Sequence, residues 1–164
     1  MVKLAIITSF LGKTKDRFHE YNQAKTLEEK FRMLGGIQGA SGVEVVYPYE
    51  VDAPEVTKTL AEKYNLSFAA INVNVKAEPE FLNGGLSSPD KAVRDKAVRF
   101  IKEAKDFAEK CGADKVTCCP LGDGYEFSFQ SDYAAAWRRL AETFGEAAEY
   151  KKNIPLFIEY KPSE

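Results

Sequence analysis

The chain has 164 residues, of which 45% are hydrophobic and 29% charged, so it can bury roughly two thirds of its unfolded surface in one folded domain. Its 23 basic residues against 25 acidic ones leave a net charge of −2, with no run of like charge to follow a phosphate backbone. That balance argues against nucleic acid as a partner. The apolar opening, Val2 to Leu11, is broken by Lys3 and followed by Gly12-Lys13-Thr14-Lys15-Asp16-Arg17. This suits a first core strand rather than a signal peptide, and predicts a cytoplasmic protein with no membrane partner.

In chain order, Lys3 to Thr8 reads as a β run. Leu27, Phe31 and Leu34 then recur at i, i+4 and i+7, which predicts a helix ended by Gly35-Gly36. His19, the lone histidine, falls in the loop between them, and Phe10, Phe18 and Tyr21 are its aromatics. Val43 to Tyr47 is the second expected strand. It leads into Asp52-Ala53-Pro54-Glu55, where Asp52 is expected to cap, Pro54 to sit in the first turn and Glu55 to complete a capping-box-like pair. The helix so started runs to about Tyr64.

Phe68 to Val75 is the third expected strand, with Asn72 and Asn74 alternating onto one face at its end. The polar stretch Lys76 to Ser88, carrying Gly84-Gly85, is longer than connectivity requires and reads as a lid or binding loop. Ser88-Pro89-Asp90 opens the third helix, whose stripe of Val93, Ala97, Phe100, Ile101, Ala104, Phe107, Ala108 and Cys111 is stopped by Gly112. Lys115 to Pro120 is the fourth strand, followed by the loop Leu121 to Gln130. Ser131 is expected to cap a fourth helix reaching about Tyr150 and burying Tyr133, Trp137, Leu140 and Phe144. A final strand begins at Leu156.

Cys111, Cys118 and Cys119 are an odd number without CxxC spacing, which predicts buried thiols rather than a disulfide framework or a zinc knuckle. Neighbouring Cys118 and Cys119 point to opposite faces of their strand. Short strands alternating with helices require parallel crossovers, and the expectation is five such units with both sheet faces covered. Two architectures fit: an open doubly wound sheet, which needs about this length, or part of a (β/α)8 barrel, which needs about 250 residues. The turn after the first strand, Ser9 to Thr14, has one glycine and neither the GxGxxG nor the GxxxxGK[ST] spacing of a phosphate cradle.

Two stretches carry a resemblance. Ile158-Glu159-Tyr160-Lys161-Pro162 resembles the Glu-x-Lys-Pro strand-five signature of the xylose isomerase-like TIM barrels, especially the aldose–ketose isomerases. Residues two apart on a strand face one side, so Glu159 and Lys161 look into the barrel mouth together. Cys119-Pro120-Leu121-Gly122-Asp123-Gly124-Tyr125-Glu126 is similar to the loop after strand four in that family, which lines a sugar pocket. The resemblance implies a single domain over 1–164 that corresponds to the first five strands and four helices, or N-terminal portion, of a metal-dependent sugar isomerase or epimerase interconverting aldose and ketose.

By the same resemblance Glu159 is a metal ligand and Lys161 a substrate-contacting, catalytic residue that holds or polarises O1. Asn72, Asn74, Asp123, Tyr125 and Phe10 are the candidate substrate contacts. The implied cofactor is a divalent Mn²⁺, Mg²⁺ or Co²⁺ ion bound by oxygen ligands. The family's other three ligands, an acidic residue from strand six, a histidine from strand seven and an acidic residue from strand eight, have no counterpart here, and His19 cannot replace the histidine. The chain by itself is therefore expected to be inactive, with no metal held or with a second copy completing the site, and to form homo-oligomers through its open sheet edges. The competing expectation is an open-sheet binding module for a small molecule, without catalysis. Metal-dependent endonuclease chemistry is disfavoured by the acidic balance.

Overall fold

The computed structural model describes residues 3–15, 18–120, 123 and 129–159. Five parallel strands form the main sheet: β1 (Leu4–Ile7), β4 (Ala40–Tyr47), β5 (Ser67–Val73), β6 (Val116–Cys118) and β7 (Leu156–Ile158). Two short strands, β2 (Thr14–Lys15) and β3 (Glu20–Tyr21), pair antiparallel as a separate ribbon within the loop after β1. The helices are α1 (Leu27–Gly35), α2 (Pro54–Lys63), α3 (Lys91–Cys111) and α4 (Tyr133–Glu149), with 3₁₀ turns at Thr8–Leu11 and Pro79–Phe81.

The sheet order is β1-β4-β5-β6-β7, strictly sequential. A doubly wound sheet reverses its strand order at a switch point. This sheet does not reverse, which overturns the doubly wound alternative and leaves consecutive βα units of a barrel. Because right-handed crossovers running in one direction place every helix on the same side, the expectation of two covered faces is also corrected. One face, carrying Val43, Val45, Ile71, Val73, Val116 and Cys118, is buried beneath the helices. On the other, inward face the outer strands show Ala5 and Phe157 exposed, while Val46, Ala70 and Asn72 of the central strands are buried. Among the described residues β1 and β7 each pair on one side only.

Local chemistry explains the helix boundaries. Thr26 and Glu29 form a reciprocal capping box at α1, Glu29 N–H donating to Thr26 Oγ1 and Thr26 N–H to Glu29 Oε2. Gly112 ends α3 in the left-handed region at φ 82°. Two expected caps differ. Asp52 does not cap α2, whose N-cap is Ala53, because the Asp52 backbone is taken on both sides by the buried Thr57 hydroxyl. At α4 the cap is Asp132, accepting from Ala135 N–H at 2.9 Å, rather than Ser131.

The α3 stripe is buried as expected except at half-buried Val93, and it carries in addition Val98 and the fully buried Lys105. Lys105 Nζ donates to the carbonyls of Ala148 and Tyr150, satisfying the C-terminus of α4. In α4 the buried residues are Ala136, Thr143, Phe144 and Ala147, whereas Trp137 is 71% exposed and Tyr133 47%. The expected burial of Trp137 and Tyr133 is thus corrected: the face toward the core is set by the small residues Ala136 and Ala147 and by Thr143. Burial raises the Cys111 thiol to about 11 and pushes the fully buried Cys118 higher still, with charge from Asp123, Cys119 and Glu159 adding to the effect. None of the three cysteines forms a disulfide.

Candidate functional site

Parallel strands of βα units open their site at the carboxyl ends, where the βα loops converge. Three of the residues singled out in the sequence come together there. Asn72 lies next to last in β5, Asp123 follows β6, and Glu159 follows β7, its backbone N–H donating to Cys118 O at 2.8 Å so that the ladder continues one residue past the strand. Strand alternation puts Glu159 on the inward face with Phe157, and the residue is exposed. Asp123 and Glu159 lie close enough to the end of β6 for both to push up the Cys118 thiol.

Asn72 is not a loose polar terminus. Its Nδ2 donates to Glu44 Oε1 at 3.2 Å and to Thr117 Oγ1 at 3.0 Å, and the Thr117 hydroxyl donates to the same Glu44 oxygen. A polar chain therefore crosses β4, β5 and β6 on the inward face. Glu44 and Thr117 were not singled out in the sequence. The signal was there at Glu44, a carboxylate interrupting the apolar run Val43 to Val46 at an inward position.

Asn74 acts on its own loop. Its Oδ1 accepts from Lys76 N–H at 2.9 Å and Ala77 N–H at 3.0 Å, an Asx turn that starts the loop 76–88. That loop is packed, not loose. Phe81 and Leu86 are fully buried within it, and Lys96 of α3 pairs with both Glu78 and Glu80. Tyr49 OH also donates to Glu78 Oε1, at 3.0 Å. Phe10, 70% exposed in the 3₁₀ turn after β1, stands at the opposite edge of the sheet, with β4, β5 and β6 between it and β7. Four strand spacings put it roughly 19 Å from Glu159 along the sheet. Tyr125 and Lys161 lie outside the described residues.

Among the described residues no group of three or more His, Cys, Asp or Glu side chains is placed to hold a metal ion. An oxygen-ligated divalent ion needs several donors, so the described residues do not by themselves fit one, and Glu159 would be a single member of a larger set. A separate cleft of about 380 Å³ lies between the first two βα loops, lined by Lys13, Lys25, Lys30, Tyr49, Glu50 and Asp52 among others. Its buried Lys30 is already paired with Glu50 at 2.9 Å.

Residues 38–164 match the family described as xylose isomerase-like TIM barrels. The chain belongs to that family. Several solved structures share its fold. An L-ribulose 3-epimerase is 22% identical with a TM-score of 0.63, over 95% of this chain and 48% of that one. A D-tagatose 3-epimerase-like protein is 17% identical at a TM-score of 0.67, over 100% of this chain and 54% of that one. The D-psicose 3-epimerase of Clostridium cellulolyticum H10, solved with D-tagatose, is 16% identical at 0.60, over 79% and 45%. The chain thus spans about half the length of these structures, and at such identities the likeness is one of fold. Among the described residues of this xylose isomerase-like chain, no helix is long and apolar enough to cross a membrane.

Proposed function

We propose that this xylose isomerase-like chain supplies one half of a divalent-metal-dependent sugar isomerase or epimerase site acting on aldoses and ketoses. The observation that carries the reading is Glu159, a carboxylate delivered to the carboxyl end of β7 on the inward face, where a barrel of this family opens. The solved structures that share the fold include 3-epimerases named for the ketoses L-ribulose and D-psicose, which makes a ketose the substrate class to try first.

In this reading Glu159 is one metal donor and Lys161 the cation that offsets charge growing on the sugar O1. A bound divalent ion would supply Lewis acidity toward the sugar oxygens. Asn72, Asn74 and Tyr125 contact the sugar, Phe10 walls the mouth from the first βα loop at the far edge of the sheet, and Asp123 stands on the side of Asn72. The Glu44–Asn72–Thr117 chain fixes which end of the Asn72 amide is offered: with Nδ2 already donating twice, its oxygen is left to accept from a sugar hydroxyl. One donor does not retain a catalytic ion against water, so the chain alone is inactive, and a second copy meeting the open edges of β1 and β7 adds the opposite wall.

The test is solution mass by light scattering with and without Mn²⁺, beside a Mn²⁺ titration of the wild type and Glu159→Gln. A dimer tightened by Mn²⁺, with the response lost in Glu159→Gln, supports the reading. A monomer indifferent to Mn²⁺ removes it. Incubation with D-fructose or D-tagatose should give no epimer from the monomeric chain.

A further inference from the structure

The loop after β5 ends in Gly84-Gly85-Leu86-Ser87-Ser88, and all five residues are buried although the segment has no regular secondary structure. Buried backbone must find partners. On its carbonyl side two partners come from α4 and one from α3: Arg139 Nε donates to Ser87 O at 2.7 Å, Thr143 Oγ1 to Leu86 O at 3.0 Å, and the Arg94 guanidinium to Ser88 O at 2.7 Å. On its amide side Gly84 N–H donates to Phe81 O at 3.0 Å, and the next amides face one carboxylate. Ser87 N–H donates to Asp123 Oδ1 at 2.5 Å, and the amides of Leu86 and Gly85 also turn toward that group.

Successive amides converging on one anion form a nest, a concavity that favours negative charge. Here the anion is internal and belongs to the neighbouring βα loop. The fit leaves little slack, because a Cβ on Gly85 would come within 2.9 Å of Val75 O. Asp123 is itself largely withdrawn from water, and that burial raises its pKa against the lowering effect of the amides. A carboxylate bonded to the Ser87 amide, faced by those of Leu86 and Gly85 and partly withdrawn from solvent, is poorly placed to bind a sugar.

We propose that Asp123 is a positioning residue: seated against the amides of Gly85, Leu86 and Ser87, it latches the loop after β5 to the chain beyond β6 at that residue. The proposal deepens the functional reading in that the latch borders the candidate site, but the latch itself does not depend on metal or sugar.

Amide hydrogen exchange followed by NMR on the 164-residue chain tests it, with wild type compared with Asp123→Ala, Asp123→Leu and Asp123→Asn. In Asp123→Ala the amides of Gly85, Leu86 and Ser87 should exchange at least tenfold faster, while those of Ala97 to Ala108 in α3 follow only the change in global stability read from urea unfolding. Asp123→Leu keeps bulk without an acceptor and carries the same expectation if the alanine variant does not fold. Asp123→Asn, which retains one acceptor oxygen, should restore much of the protection. Wild-type exchange at the three amides in both Asp123→Ala and Asp123→Leu overturns the latch. So does a parallel acceleration of the α3 amides, which would make Asp123 a general support of the fold. Glu159→Gln should leave the three amides untouched, so loss of the Mn²⁺ response and loss of the latch are read separately.

Discussion

Asn72 Nδ2 donates to Thr117 Oγ1 at 3.0 Å across the β5–β6 pair, at two residues that stand opposite one another in the parallel register. Since Asn72 also donates to Glu44, truncating it removes one donor from the carboxylate and one from the hydroxyl, leaving only the Thr117–Glu44 bond between them. Losing hydrogen bonds of this kind, one of them to a charged group, costs about 1–3 kcal/mol. Asn72→Ala should therefore lower the stability read from urea unfolding by that much, and the double variant Asn72→Ala/Glu44→Ala should recover part of the loss. A loss in the double variant equal to the sum of the two single losses would show that the side chains are not one network.

Lys105 gives a second prediction. It is fully buried, and burial alone lowers its pKa, so its ammonium is held in place by the Ala148 and Tyr150 carbonyls. Lys105→Met keeps the stem but removes the donor, leaving two carbonyls at the end of α4 without their partner. A stability loss of about 1–3 kcal/mol is expected in urea unfolding, with the amides nearest Tyr150 exchanging fastest.

Asp123 gives a pH prediction with a definite sign. Its folded-state pKa is raised by burial above the ordinary 3.8, so between 3.8 and the raised value the folded chain holds more proton than the unfolded chain. In that window its contribution to stability falls as pH rises. The lowered carboxyls of Glu28, Glu29, Glu78, Asp106 and Asp114 act in the opposite direction, so the wild-type curve mixes both. Subtracting the Asp123→Asn curve should isolate a declining component above pH 3.8. A rising or flat difference would contradict it.

The thiols should respond unequally to a soluble disulfide reagent at about pH 8, near the ordinary thiol pKa. Cys111 and Cys118 are buried and their pKa values are raised, the first to about 11, so the reactive thiolate is scarce at both. Cys119, half-buried at the end of β6, should label first. Mass mapping of the modified peptide checks the order.

Trp137 is the single tryptophan and is 71% exposed. Its emission should lie at long wavelength and be quenched readily by acrylamide in the monomer. If a second copy docks along the β7 side of the molecule, where Phe157 and Ile158 are also exposed, the emission should shift to shorter wavelength as concentration rises.

Much of this fold could be read from residue order because its elements are long or strongly patterned. α3 is the clearest case: a stripe through 21 residues bounded by Asp90 and Gly112 left one assignment open. In α4 the aromatic spacing of Tyr133, Trp137, Leu140 and Phe144 suggested the wrong face, since two overlapping stripes satisfy the same period and the sheet selected the one with small side chains. The β2–β3 ribbon was missed because two-residue strands have no period to detect. At the candidate site, the inward carboxyl-end position of Glu159 was legible through its neighbours in the chain. The role of Asp123 was not, because its partners are backbone amides 36 residues away, and an amide has no letter in the sequence.

The sequential strand order carries one more consequence. In this sheet the order in space is the order of synthesis, so each βα unit leaving the ribosome finds one partner strand already in place and waits only for the next unit to cover its other edge. Assembly can proceed by accretion at one margin, with short loop closures at every step. Pausing translation after successive units should yield nascent chains whose protease resistance climbs in increments, not in a single late transition.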